Sequence, residues 1–429
     1  MVIVTHILDD LAARGLLADT TDLAALRDLL DAGPVSLYCG FDPTAPSLHL
    51  GNLIQLLTLR RFQQAGHRPI GLVGGATGMI GDPKESGERR LNPAEQVAEW
   101  TARIRSQVER FLDFEGANAA RIVNNYDWTS GLTAIEFLRD VGKHFSVNRM
   151  LDRESVRARL AGPGISYTEF SYQLLQSYDY LQLFRAHDVR LQTGGSDQWG
   201  NLTAGVNLIR RVTGEHVHAL CTPLLTKADG AKFGKTESGT IWLDAELTSP
   251  YAFYQFWVNA DDRDLPSLLR SFSLQPLPEV SELIGASAAE PHRRIGQRAL
   301  AQEMTTLVHG PDQTAAVVAA STALFGRGEL QALDAATLTA AMRETPHVEL
   351  SGHEALAAPS IADLFVRCGL LDSKAAARRA ARDGGAYVNN VRVDDPEVPL
   401  TADQLLAGGW AVLRRGRKSV GGVRFPSVA

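Results

Sequence analysis

The chain has 429 residues, 45% hydrophobic and 21% charged, with a net charge of −6. This exceeds what one hydrophobic core normally serves, so two to four domains are expected, and no run of about 18 apolar residues offers a membrane-spanning helix. Three scattered cysteines (Cys39, Cys221, Cys368) argue against a disulfide framework or thiolate metal site, and Met1–Asp10 lacks the features of an export signal; both point to a reducing cytoplasm.

Residues 37–41 (Leu-Tyr-Cys-Gly-Phe) read as a short buried strand, followed by a Pro-rich turn over 42–47. Leu50, Leu53, Ile54 and Leu57 then recur at helical spacing, and Gly66 supplies a stop. A second strand over 69–74 runs into Gly74-Gly75-Ala76-Thr77-Gly78. Strand, helix, strand in this order predicts a parallel βαβ unit with loops at the carboxyl ends of its strands. A helix over 93–114, a strand over 120–124 and short strands at 190–193 and 217–220 continue the pattern. Residues 249–343 have helical spacing throughout, and 344–360, rich in Pro, Gly, His and Ala, read as a linker. A compact unit of helix, helix and hairpin follows.

Four segments carry chemistry. In His49-Leu50-Gly51-Asn52 the helix start exposes backbone N–H groups and the positive end of its dipole, a seat for phosphate. His49 and Asn52, three apart, share one side of the first turn and can donate to an α-phosphate as its charge grows. Taken alone, the same residues read as a helix cap. In Lys232-Phe233-Gly234-Lys235-Thr236, two lysines on a Gly-containing loop can neutralise a leaving pyrophosphate; alone, they read as a solvated loop. Neither segment matches the P-loop pattern. On a predicted helix over 168–184, Tyr172, Gln176 and Asp179 fall within roughly 60° of one another at ~100° per residue. Phe170, Leu174, Tyr178 and Leu181 form the opposing apolar stripe. That polar stripe suits an amino group and a hydroxyl, or else faces solvent. Finally, Gly194-Gly195-Ser196-Asp197-Gln198-Trp199-Gly200-Asn201 ends a strand where a nucleoside can approach closely, with Asp197 accepting from ribose hydroxyls.

Together with Tyr38-Cys39-Gly40-Phe41-Asp42-Pro43-Thr44, these segments resemble, in order and spacing, the bacterial tyrosyl-tRNA synthetases of class I, over essentially the whole chain. The resemblance implies a Rossmann-like parallel-sheet catalytic domain, an α-helical domain and a small α+β RNA-binding domain. It places the catalytic domain at 1–225 with a dimerisation insert around 125–165, the signature loop and helical domain at 226–345, a linker at 346–359 and the basic domain at 360–429. It implies catalytic roles for His49, Asn52, Lys232, Lys235 and Thr236. Asn52 replaces the last His of the HIGH signature, and Phe, Gly and Thr are substituted in the KMSKS signature. Tyr38 and Asp179 would bond the tyrosine phenol. Tyr172, Gln176 and Asp82 would hold its ammonium, with Gln198 near its carboxylate. Gly40, Asp42, Thr44, Gly51, Gly195 and Asp197 would line ATP, whose Mg²⁺ arrives with it; no dedicated metal site is expected. A homodimer is implied as well.

The tail reads independently as RNA-binding. Residues 361–429 carry 11 Lys/Arg against 7 Asp/Glu. Ser373 is placed to cap a helix on which Lys374, Arg378 and Arg382 form one basic stripe. Asn389-Asn390 is a tight-turn pair for a hairpin, and Arg414, Arg415, Arg417 and Lys418 add charge. The partners that the resemblance implies are tRNA(Tyr), tyrosine and ATP. The rivals are a related synthetase charging tryptophan, against which Tyr38 with Asp179 argues, and an RNA-binding protein on a synthetase scaffold, against which His49, Lys232 and Lys235 argue. A generic nucleotidylyltransferase leaves the basic tail unexplained.

Overall fold

The computed structural model describes residues 6–83, 91–151, 154–162, 164–226, 228, 233–236, 239–326, 328–416 and 419–426. Lys232, Arg417 and Lys418 lie outside the described residues, as do the side chains of Lys235 and Thr236. The chain forms two compact units, Met1–Asp244 with Asp261–Gly296, and Ala245–Ala260 with Gln297–Ala429.

The first unit is built on six strands: β1 (Asp19–Thr20), β2 (Ser36–Phe41), β3 (Arg68–Val73), β4 (Arg121–Asn124), β5 (Val189–Gly195) and β6 (His218–Thr222). Their spatial order is β1-β6-β5-β2-β3-β4. β2 to β6 pair in parallel, and β1 adds antiparallel to β6. Helix α1 (Leu50–Gln64) joins β2 to β3 and α2 (Ala94–Glu109) joins β3 to β4. A longer excursion after β4 ends in α3 (Tyr167–His187), and α4 (Trp199–Thr213) joins β5 to β6. The chain leaves β2 toward one edge and β5 toward the other, so strand order reverses between them. In such sheets the crevice at the carboxyl ends of those two strands is where ligands bind.

The local sequence explains these elements. α1 buries Leu50, Leu53, Ile54 and Leu57 on the sheet and stops at Gly66, whose φ of 96° suits glycine. Ser166 caps α3 through the Glu169 N–H, and α3 is buried on both stripes, with Tyr172 and Asp179 as enclosed as Leu174 and Leu181. One core gathers Tyr38, Leu72, Leu174, Tyr180, Leu183 and Leu208 from β2, β3, α3 and α4. Before α3, Arg159 donates to Glu169 at 2.9 Å and to the Gly164 carbonyl. Both charged side chains are only 2% exposed, so the pair pins the excursion to the first turn of α3. The unit also holds a small hairpin, β7 (Lys235–Thr236) with β8 (Gly239–Thr240), and helix α5 (Leu265–Phe272).

The second unit contains the helices Pro250–Val258, Ile295–His309, Pro311–Leu324 and Ala335–Arg343, a five-stranded sheet, and helices α6 (Ile361–Arg367) and α7 (Lys374–Arg382). The strands are β9 (His347–Glu349), β10 (Ala386–Val388), β11 (Val391–Arg392), β12 (Trp410–Arg415) and β13 (Ser419–Arg424), in the order β11-β10-β12-β13-β9. The hairpin turn falls at Asn389-Asn390, both with positive φ, and Ser373 caps α7 through the Ala376 N–H. The stretch 346–359, expected as a linker, instead supplies β9, which pairs in parallel with β13, and the short helix Gly352–Leu356.

Candidate functional site

At the end of β2 the chain turns into α1, and His49 occupies the N-cap position. Its Nδ1 accepts from the Gly51 N–H at 3.0 Å, while Asn52 Oδ1 accepts from the His49 N–H at 3.1 Å. The capping reading is therefore correct, and it is compatible with a phosphate-binding role. An Nδ1 that accepts leaves the ring proton on Nε2, so a neutral His49 is a donor on that side. Gly51 has a physical reason to be glycine: a Cβ there would lie 2.9 Å from His49 Cε1.

The second signature segment is joined to this turn through the backbone. The Ile241 N–H donates to Gly234 O, the Leu50 N–H to Ile241 O, and the Leu243 N–H to Leu48 O. Gly234, at φ 82°, lies against Leu50, where a Cβ would come within 3.1 Å of the Leu50 Cβ. The Trp242 ring stands 6.1 Å from the His49 ring. Segments more than 180 positions apart in sequence thus meet at one helix start.

In the same unit, β2 and α3 bring buried polar groups together. Tyr38 is 0% exposed and its hydroxyl has no hydrogen-bond partner. Asp179, 1% exposed, faces it from α3 and accepts from Asn125 Nδ2 and Trp128 Nε1, both at 2.9 Å. Burial, then the negative Asp179, hold the Tyr38 phenol well above its usual range. Buried hydroxyls normally find partners, so an orphan phenol opposite a carboxylate marks a place for a small polar group.

A continuous chain of hydrogen bonds runs from Asp179 to Asp42, just past the end of β2. Asn125, fully buried, also donates to Thr77 Oγ1 at 2.9 Å and accepts from the Ala76 N–H. Thr77 Oγ1 donates to Asp42 Oδ1 at 2.6 Å, and the Tyr172 hydroxyl donates to Asp42 Oδ2 at 2.7 Å. Tyr172 is therefore engaged with Asp42, whereas Gln176 Oε1 is buried and unpartnered, an acceptor suited to an ammonium. Asp82 accepts from Gln198 Nε2 and Asn201 Nδ2, each at 3.2 Å. The geometry explains the glycines around this network. A Cβ at Gly74 would fall 2.0 Å from Asp42 Oδ1, and one at Gly195 would fall 2.5 Å from Asp197 Oδ1. Gly40 is an exposed residue of β2, and Thr44 is exposed beside Asp42, whose carbonyl accepts its N–H. Thr77, Asn125 and Trp128 were not singled out from sequence. Their only signal was position just past β3 and β4, where a parallel sheet places its loops.

The Asp179 carboxyl is pushed from 3.8 up to about 7, chiefly by burial, with the Asn125 and Trp128 bonds pulling the other way. A carboxyl raised in the folded state holds its proton more tightly there than when unfolded. Its stabilising contribution is present at low pH and lost as pH rises through that window. Asp179→Asn removes this titration. Its melting temperature, relative to the wild type, is expected to improve steadily from pH 4 to pH 7. A difference independent of pH would place the titration elsewhere.

In the tail, α7 presents Lys374, Arg378 and Arg382 to solvent, but two of them are engaged. Lys374 pairs with Asp363 at 2.6 Å and Arg378 with Glu397 at 2.7 Å. Arg414 is only 8% exposed, its guanidinium 4.0 Å over the Tyr387 ring and bonded to Asn390. That makes Arg414 part of the hairpin's packing, whereas Arg382 and Arg415 are exposed.

The family described as tRNA synthetases class I (W and Y) matches residues 30–326. The family described as tyrosine--tRNA ligase SYY-like C-terminal domain matches residues 337–420. Among curated proteins, a tyrosine--tRNA ligase of Streptomyces avermitilis is 61% identical over 421 residues, covering 98% of this chain and 99% of that protein. One of Mycobacterium tuberculosis is 58% identical, covering 97% and 98%. Among solved structures, a C-terminally truncated mitochondrial tyrosyl-tRNA synthetase of Aspergillus nidulans superposes with a TM-score of 0.67 at 30% identity, covering 73% of this chain and 92% of that one.

Proposed function

The chain belongs to the tyrosine--tRNA ligases among the class I tRNA synthetases, and from that membership we propose how its residues divide the work. The enzyme activates L-tyrosine with ATP to tyrosyl-adenylate and pyrophosphate, then transfers tyrosine to the 3′ end of tRNA(Tyr). The observation carrying the site assignment is the orphaned Tyr38 hydroxyl opposite Asp179. In our reading the substrate phenol completes that pair, while Gln176, Asp82 and the Tyr172–Asp42 pair receive the ammonium. Gln198 stands near the carboxylate. The carboxylate attacks the α-phosphate in line, and no covalent enzyme intermediate is needed.

His49 and Asn52 at the α1 start, with its backbone N–H groups, meet the α-phosphate as negative charge accumulates. Gly40, Thr44, Gly51, Gly195 and Asp197 line the nucleoside and phosphates, and Mg²⁺ enters with ATP as part of the substrate. Lys232, Lys235 and Thr236 receive the pyrophosphate. Lys235→Ala is expected to slow adenylate formation by about 10²-fold or more while leaving tyrosine affinity nearly unchanged. Single-turnover kinetics with tyrosine titrations check it, and equal effects on both would indicate ground-state binding.

We assign tRNA contact to the tail through Arg382 and Arg415 together with Arg417 and Lys418, with Lys374 and Arg378 available if their carboxylate partners are exchanged for phosphate. The dimer contact falls in the insert around 125–165, where Tyr126, Ile135, Leu138, Val147 and Leu160 are exposed apolar side chains. The functional divisions at 1–225, 226–345 and 360–429 are retained as a proposal, as is a cytoplasmic location. No described helix is long and apolar enough to cross a membrane. The test of substrate is pyrophosphate exchange into ATP with each of the twenty amino acids. Exchange with tyrosine alone supports the assignment, and exchange with tryptophan or with none overturns it.

A further inference from the structure

Asp264 occupies the N-cap position of α5 yet makes no side-chain bond to its own helix. Aspartate is among the best residues for satisfying the free N–H groups of a first turn. Here its carboxylate turns away and accepts from the backbone N–H of Ala228 at 2.7 Å. Ala228 lies four residues before the Lys-Phe-Gly-Lys-Thr segment. At the opposite end of the same helix, the Phe272 ring stands 5.5 Å from the ring of Phe233, inside that segment.

α5 is itself locked in place. Arg61 of α1 donates to the carbonyls of Ser271 and Ser273 at 2.9 and 2.8 Å. Arg14 donates to those of Arg270, Ser273 and Gln275. Two guanidinium groups thus meet the carbonyl-rich end of α5, where the helix dipole favours positive charge. α1 is also the helix that begins at His49. One set of contacts therefore links the helix that begins at His49, through α5, to Ala228 and Phe233, with Asp264 and Phe272 as its two grips.

We propose that Asp264 is a positioning residue for the Lys-Phe-Gly-Lys-Thr segment, fixing through Ala228 where the chain enters it relative to the start of α1. The inference rests on reading that segment as the one that meets the phosphates. A charge-assisted bond to a backbone N–H is short and directional, so it fixes register where an apolar contact would only limit distance. It acts through the lysines and touches no substrate.

Tyrosine-dependent pyrophosphate exchange on the full-length enzyme tests it, with Asp264→Ser, Ala228→Pro and the double variant. Serine caps helices about as well as aspartate but is one bond too short to hold Ala228, so a helix-capping role predicts no loss. Asp264→Ser is expected to lower kcat about tenfold, with tyrosine KM and melting temperature unchanged. Ala228→Pro, which removes the donor, is expected to do the same, and the double variant to be no worse than the poorer single. Full kcat in Asp264→Ser, a parallel change in tyrosine KM, or losses that multiply would each overturn the proposal. Lys235→Ala serves as the control. If it is inert, the phosphate reading falls and the proposal with it. If it is crippled while Asp264→Ser is not, only the proposal falls.

Discussion

Replacing Asp179 by alanine is expected to lower kcat/KM for tyrosine activation by about 10³-fold or more, while changing the residual activity with phenylalanine little. The reasoning begins with burial. Tyr38 and Asp179 are at most 1% exposed, and neither can turn to water when the bound amino acid carries a ring without a hydroxyl. A site built this way rejects the analogue lacking the hydroxyl because its own polar groups stay unpaired; tyrosyl-tRNA synthetases are the reference case, at about 10⁵-fold without editing. Removing the carboxylate removes most of that discrimination. It also strands the Asn125 and Trp128 donors, at about 1–3 kcal/mol of stability for each buried group left unmade. Exchange assays with both amino acids, alongside thermal melts, separate the two effects. Retained discrimination in a folded Asp179→Ala enzyme would remove the phenol contact.

Deleting the C-terminal domain is expected to leave adenylate formation within about threefold of wild type and to reduce tRNA charging by 10²-fold or more, as loss of a phosphate-binding surface would. The structure decides where to cut. Truncation at 361 would leave β9 without β13, its neighbour in the sheet. A cut after Glu344 removes β9 together with the sheet it belongs to. It leaves Ala335–Arg343 without the Trp410 Nε1 bond to Thr339, a modest loss. Pyrophosphate exchange and aminoacylation, measured on the same preparation, check the result. Loss of both activities would make the tail a structural support of the catalytic unit.

Much of the catalytic unit was legible because its signals are local. The helix expected at 168–184 spans Tyr167–His187, and the strands expected at 37–41 and 69–74 appear at Ser36–Phe41 and Arg68–Val73. Hydrophobic periodicity, a glycine stop and a Ser cap need no knowledge of distant chain. What escaped the sequence depends on tertiary approach. Nothing about residues 125 and 128 announces a hydrogen bond to position 179, and nothing in the spacing shows that Tyr172 reaches Asp42. The same limit applies to β9, whose three residues carry no strand pattern and are recruited by the edge of β13. Arg414 reads as surface charge until Tyr387 and Asn390 are seen closing over it.

The incorporation of β9 changes how the tail can reach its partner. A flexible connector of residues 346–359 would let the domain wander over roughly 20 Å, from about 5–6 Å × √n. Only residues 344–346 separate the helix ending at Arg343 from β9. Those residues are themselves bonded: the Thr345 N–H donates to Met342 O, and Pro346 O accepts from Gly422. The tail is thus joined to the preceding helices of its own unit by bonded backbone and not by a free tether. Loss of freedom that a tethered domain would suffer on every encounter has already been met during folding. Within its own unit, the tail gives up search radius in exchange.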